Sequence, residues 1–258
     1  MNNAFAVAGI VIKELYRRKD FYVLFILTAL ITLAMGSFKL FNDEKIVRYI
    51  KEICLLLIWI SSLVIAITTA ARQLPAEKEL RTIFPLLAKP ITRGQLILGK
   101  FLGCWMACGM ALLLFYVFFG IISGAREHAF PVLNYFQALW LHWILLAIVV
   151  AVVLAGSVVF SAVSANTTIS FIIVLGILFI GRHLNKVALQ LSEPGRSIIY
   201  SLYFAIPHLE FYDVRDLIIH SLPRISWTVV GLATLYGICY TALFLFVNWL
   251  IFRRKSLN

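Results

Sequence analysis

Apolar runs separated by short polar stretches set the pattern of this chain. Runs near 21–38, 53–71, 101–123, 138–163 and 226–252 each approach or exceed the length a helix needs to cross a membrane, about 20 residues for a hydrocarbon core of about 30 Å. A sixth run, Thr167 to Ile180, is shorter and reaches spanning length only by continuing past Gly181. It is taken as the fifth of six spans, at 167–185. No Asp, Glu, Lys or Arg stands in the middle of a run. Ion-driven carriers depend on such intramembrane groups, so that mechanism is disfavoured.

The polar stretches have patterns of their own. Over residues 4–19, Phe5, Ala8, Ile12 and Leu15 lie on one face while Lys13 and Arg17, followed by Arg18, lie on another. This predicts either a helix lying on the cytoplasmic membrane surface or a helical extension of the first span. Basic residues before an apolar run resemble a signal peptide, but no small-residue cleavage site follows, which predicts a retained first span. Between the second and third runs, Pro75 suits a first helical position and Glu77 stands four residues before Arg81. Leu80, Ile83, Phe84 and Leu87 repeat at helical spacing, with Pro85 disturbing the end. The chain then breaks at Pro90, and Thr92 with Gln95 has capping-box spacing for the next helix. The 75–90 segment therefore has the form of a docking surface for a soluble partner; the plainer reading is a solvated basic loop. Between spans five and six, the apolar stretch Ile198 to Leu209 has about 12 residues, too few to span and suited to a re-entrant outer segment over 198–216. Tyr200, Tyr203, Phe211 and Tyr212 suit the headgroup zone.

Composition narrows the class. With 258 residues, 62% hydrophobic and 14% charged, and a mean hydropathy of +0.95, the chain is an all-α integral membrane protein rather than a soluble domain. Its net charge of +11 is concentrated at the ends of apolar runs, where it sets topology and does not argue for nucleic acid. Arg17-Arg18-Lys19 and Arg253-Arg254-Lys255 abut span ends, and the segments placed inside carry Lys/Arg well in excess of Asp/Glu. Both termini are expected in the cytoplasm. Cys54, Cys104, Cys108 and Cys239 all fall in apolar runs, as packing residues do.

Candidate chemistry changes little. His128, His142, His183, His208 and His220 fall on or near the expected outer side, but no two are spaced i, i+3 or i, i+4, so interfacial histidines are expected rather than a metal site. Gly94 to Phe101 matches a P-loop except that Phe101 replaces the Mg-binding Ser/Thr, and no strand precedes it. Gly99 and Gly103 form G-x-x-x-G, read as a close-packing face or as incidental glycines. Ala147, Ala151 and Ala155, followed by Ser157 and Ser161, offer a similar small-residue stripe. No metalloprotease, nucleophile-elbow or paired-aspartate pattern occurs, so no catalysis and no cofactor are expected in this chain.

"LLAKPITRGQLILGKFLG" (Leu86 to Gly103) and "IPHLEFYDVRD" (Ile206 to Asp216), in this order of parts, resemble the permease subunit of ABC-2 type transporters over essentially the whole chain as one domain. They look most like the subgroup associated with maturation of multicopper enzymes and nitrous-oxide reductase. The resemblance implies six spans in a bacterial cytoplasmic membrane, two copies paired as a homodimer among membrane lipid, and a separate ATPase subunit holding ATP and Mg. It places the ATPase-docking face at Glu77, Glu79, Arg81, Thr82, Phe84 and Leu86, with Lys89, Pro90 and Arg93 fixing its exit. Lys13, Arg17 and Arg18 mark the surface helix. Export or force transmission across the membrane is the implied work. The alternative is a six-span anchor or assembly factor that docks a cytoplasmic partner without transport.

Overall fold

The computed structural model describes residues 2–17, 19–37, 44–79, 92–127 and 131–254. No strand occurs among them. In order, the elements are α1 (Asn2–Tyr16), α2 (Lys19–Ser37), α3 (Glu44–Ala71), α4 (Pro75–Glu79), α5 (Arg93–Glu127), α6 (Val132–Val159), α7 (Val163–Gln190), α8 (Gly195–Ala205), a 3-10 turn (Leu209–Tyr212), α9 (Asp216–Ile219) and α10 (Trp227–Arg254). Among the described residues, five segments are long and apolar enough to cross a membrane: Lys51–Glu79, Arg93–Gly124, Val132–Val159, Val163–Gly181 and Trp227–Arg254. The first expected run forms α2, a 19-residue helix opening on Lys19 and Asp20, which is not one of these five.

The helices do not stop where the apolar runs do. Helix α3 begins at Glu44, so residues 44–52, which precede the apolar run at 53–71, are helical despite Lys45, Arg48, Lys51 and Glu52. Backbone hydrogen bonding continues past the point where hydropathy falls. The fourth run was expected to extend to 163, with the fifth span from 167. The break comes earlier, at Phe160 (φ −83°, ψ 145°) and Ala162 (φ −90°, ψ 134°). The apolar run passes straight through that break, so hydropathy could not mark it. Helix α7 continues past Gly181 to Gln190.

Helix α6 is the centre. Leu145, Leu146, Ile148, Val150, Ala151 and Val153 are fully buried, as expected of a helix apolar on every side. It is surrounded by α3, α5, α7 and α10. Helix α2 joins through Thr28 Oγ1 and Ser61 Oγ of α3 at 2.9 Å and through Phe25 against Phe115 of α5, centroids 5.4 Å apart. Polar side chains at the start of α6 satisfy the irregular backbone that leads into α10. Asn134 Nδ2 donates to Leu222 O at 2.9 Å. Gln137 both donates to Ile225 O at 2.8 Å and accepts from Ile225 N at 3.1 Å. In a low-dielectric surround such backbone groups cannot be left unpaired.

Helix α1 lies along α5, and the G-x-x-x-G pair makes the crossing. A Cβ on Gly99 would stand 2.7 Å from Ala4 O and from Val7 Cβ, and one on Gly103 would stand 2.6 Å from Val11 Cβ. The buried face of α1 is therefore Val7, Ala8 and Val11, while Phe5 is exposed. The expected stripe of Phe5, Ala8, Ile12 and Leu15 is corrected: Ala8 turns inward to α5 because the two glycines let the backbones meet there.

Candidate functional site

One end of the bundle gathers the first helix, the loop-bearing segment and the last helix. Val7 of α1, Leu74, Leu96 and Ile97 of α5, Val158 of α6 and Phe252 of α10 form one buried cluster. Asn166 at the start of α7 donates through Nδ2 to Ala71 O at 2.6 Å, closing the end of α3 onto the same group. The ends of α3, α6 and α10 and the starts of α5 and α7 thus share one side of the bundle.

Within this end, the predicted exit of the loop is built as the spacing implies. Thr92 N donates to Gln95 Oε1 at 3.0 Å and Gln95 N donates to Thr92 Oγ1 at 3.2 Å, a reciprocal capping box at the start of α5. Arg93 points across to α10. Its Nη1 donates to Phe252 O at 2.7 Å and to Arg253 O at 3.1 Å, and its guanidinium lies 5.4 Å from the Phe252 ring centroid. A cation on the last carbonyls of a helix also complements the helix dipole. Gly94 brings α5 close to the Trp249 indole, 3.4 Å from the position a Cβ would take.

The entrance of the loop is held by charge. Pro75 opens α4, as its ring favours. Glu77 turns inward and pairs with Lys100 of α5, the two side chains being 16% and 5% exposed. Glu79 is exposed. Arg81, Thr82, Phe84, Leu86, Lys89 and Pro90 lie outside the described residues, as do Arg18 and the Leu80 to Leu87 stripe. On α1, Lys13 and Arg17 are exposed. Along α6, Ala147 and Ala151 are buried, Ala155 is half-buried, and Ala151 O accepts from Asn248 Nδ2 of α10 at 3.1 Å.

The opposite end holds the stretch expected as an outer re-entrant segment over 198–216. The segment 206–219 folds back into the bundle between α6, α7, α3 and α10. Leu209, Tyr212, Leu217, Ile218 and Ile219 are buried, whereas no residue of α8 is. Tyr212 Oη donates to Ala233 O at 2.8 Å, and burial pushes its phenol pKa up. Asp213 and Arg215 come in with the segment, Nε to Oδ1 2.7 Å and Nη2 to Oδ2 3.0 Å. The hydrogen bonds to Asp213 raise the Arg215 pKa further, and burial works against them. The guanidinium lies 5.3 Å from the Trp59 ring centroid.

Two histidines correct the interfacial expectation. His142 is 3% exposed, with Nε2 2.8 Å from Ser62 Oγ and Nδ1 3.4 Å from Tyr116 Oη. Ser62 Oγ donates to Trp59 O at 2.9 Å, which leaves its lone pairs for a proton on Nε2 and leaves Nδ1 to accept from the tyrosine. His208 is 6% exposed, flanked by Tyr203 with centroids 4.2 Å apart and with Nδ1 3.5 Å from Glu210 Oε1. His183 and His220 are exposed; His128 lies outside the described residues. Among the described residues, no three His, Cys, Asp or Glu side chains converge as a metal site would require. Cys54, Cys104 and Cys108 are buried packing residues, but Cys239 is exposed on α10.

A family model described as "ABC-2 family transporter protein" matches residues 8–257. The chain belongs to the ABC-2 transporter family. No curated protein matches it. Membership makes it a multi-pass membrane protein of a class whose membrane subunits are typically non-catalytic and associate in general with an ABC ATPase. In this ABC-2 chain, the predicted elements that meet are Gly99 and Gly103 with α1, and Arg93 with α10. Trp249, Phe252, Lys100 and Tyr212 were not singled out from the sequence as site residues. The aromatic character of Trp249 and Phe252 near Arg253, a common span-end pattern, was one signal; Tyr212 was read as a headgroup-zone aromatic and is instead buried.

Proposed function

We propose that this chain is the permease subunit of an ATP-binding cassette transporter, and that it works with a separate ATPase subunit that supplies ATP and Mg. The observation that carries this reading is the family match over residues 8–257. It is supported by the gathering of α1, the α4 segment and the starts and ends of five spans at one end of the bundle, where Glu79 is exposed, and by the exposed Lys13 and Arg17 of α1. In this reading α2 completes six spans, both termini are cytoplasmic, and the segment from Glu77 to Arg93 receives the ATPase. Two copies pair in a bacterial cytoplasmic membrane, and the 206–219 segment faces the far side. The subgroup tied to copper-enzyme maturation rests on the wording of Leu86 to Gly103 and Ile206 to Asp216. ATP-driven closure of the ATPase pair would press on the loop and move α5, the helix that the loop enters.

The test is co-purification of the tagged chain in mild detergent with an assay of ATP hydrolysis, comparing wild type with the double variant Glu79→Arg, Arg81→Glu. A retained ATPase whose turnover falls in the variant supports coupling through this segment. A retained partner whose turnover is indifferent to the variant, or an intact chain with no ATPase, supports an anchor instead.

A further inference from the structure

Helix α10 is held at two places by different segments. Near its end, Arg93, the first residue of α5, donates to Phe252 O at 2.7 Å and Arg253 O at 3.1 Å. From its second turn to its middle, the fold-back segment and the end of α8 grip three successive turns. Tyr212 Oη donates to Ala233 O at 2.8 Å, His208 N donates to Tyr236 Oη at 3.0 Å, and Tyr240 Oη donates to Phe204 O at 3.2 Å. The notch that admits Tyr212 is Gly237, where a Cβ would stand 2.7 Å from its hydroxyl. Ala233 and Phe252 are separated by about 28 Å of helix at 1.5 Å per residue.

Along its inner face α10 packs on α6, where Asn248 Nδ2 donates to Ala151 O at 3.1 Å and Trp140 Nε1 to Thr234 Oγ1 at 3.0 Å; its outer face is open. Leu232, Leu235, Ile238, Leu243 and Phe246 are more than half exposed, and α6 is the helix it mainly packs on. A helix held near both ends can carry a displacement along its axis, because its internal hydrogen bonds keep the turns in one continuous ladder.

We infer that α10 is the transmission element of the molecule, with Arg93 and Tyr212 as positioning residues that link the loop-bearing end to the fold-back segment. Displacement of the start of α5 pulls the last turn of α10 through Arg93, and α10 shifts the Ala233 and Gly237 notch beneath Tyr212. This rests on the permease reading for its purpose but not for its test. Coupling between two sites is reciprocal, so disturbing either clasp must loosen the other.

The experiment is hydrogen–deuterium exchange with mass spectrometry on the full chain alone in detergent. It compares wild type with Arg93→Leu, Arg93→Lys and Tyr212→Phe, which removes only a hydroxyl. Arg93→Leu is expected to speed exchange over residues 206–219, and Tyr212→Phe over residues 92–97, by about 5-fold or more. Arg93→Lys, which keeps a donor, should restore part of the protection, and α6 from Ala138 to Leu154 should not change. Effects confined to the mutated end overturn the inference, and so does uniform acceleration that includes α6. Because no ATPase is present, a negative result leaves the permease proposal standing. A positive result survives even if no ATPase is found.

Discussion

Trp105 of α5 and Trp143 of α6 hold each other reciprocally. Each indole Nε1 donates to the other residue's backbone carbonyl, at 3.0 Å and 3.2 Å, and the rings stack with centroids 4.5 Å apart and planes 19° apart. Gly109 makes the arrangement possible: a Cβ there would lie 2.8 Å from Trp143 Cε2. The outer side of this clasp is an apolar groove of about 340 Å³ lined by Met106, Met110, Leu113, Phe136 and Trp140. Both N–H groups are satisfied by backbone carbonyls, which is the arrangement a hydrocarbon-facing surface requires.

Gly109→Ala is therefore expected to destabilise the protein by about 1–3 kcal/mol, the usual cost of overpacking a closed contact. Trp105→Phe and Trp143→Phe each remove one donor, and a double-mutant cycle between them should give a coupling of about 0.5–1.5 kcal/mol. The measurement is thermal unfolding in detergent followed by intrinsic fluorescence. Additive losses would show that the two indoles act independently.

The glycine pair of the α1 crossing makes a sharper comparison. Gly99→Ala and Gly103→Ala would drive a methyl group into Ala4, Val7 and Val11, with an expected loss of about 1–3 kcal/mol each and earlier proteolytic release of α1. At Gly9 and Gly231 nothing lies within 4 Å of the new methyl. There the same substitution should cost nothing or gain up to about 1 kcal/mol from helix propensity. Equal effects at all four positions would mean that helix propensity, not the α1 crossing, governs the outcome.

These glycines show what the sequence disclosed and where it stopped. Their spacing said that some helix comes close, but that helix is α1, whose own pattern was read as membrane-facing. No rule of spacing connects a motif to its partner. The capping box at Thr92 and Gln95 was fully legible because both of its members are local. The outer segment was marked over 198–216 from its apolar 198–209 stretch, and the burial lies in its later part and beyond it, to Ile219. The part that enters the bundle carries Asp213 and Arg215, and these two tolerate burial by pairing with each other. His142 was expected at the interface rather than in the core for a related reason: its partners Ser62 and Tyr116 come from two other helices.

The ion pair of Glu77 and Lys100 gives a third prediction. Lys100 is 5% exposed at its side chain, so Glu77→Gln leaves a buried ammonium without its carboxylate. The expected loss is about 3 kcal/mol, the lower end for breaking a buried pair because Glu77 keeps some access to solvent. Glu77→Gln combined with Lys100→Met removes both charges and should recover most of it. The melting temperature of the full chain in detergent reads both. If the double variant is as weak as the single, the pair does not hold the loop entrance through its charges.

The last prediction concerns sidedness. Helix α10 ends beside the start of α5 and the end of α3, while α8 packs on α7 at the far end with Ser197 exposed. If five or six of these helices cross the bilayer, Arg254 and Ser197 must face opposite compartments. Single-cysteine variants Arg254→Cys and Ser197→Cys, made with Cys239 replaced by Ser because it alone among the native thiols is exposed, are to be labelled with a membrane-impermeant maleimide in intact cells and in opened membranes. Ser197→Cys should react in intact cells and Arg254→Cys only after opening, as the basic Arg253 and Arg254 demand of a cytoplasmic end. The reverse order would invert the protein and move the loop entered by Glu77 and left by Arg93 away from any ATP-consuming partner. Labelling of both from one side would mean that α7 and α10 do not cross together, and that the bundle must be re-threaded at the break over residues 160–162.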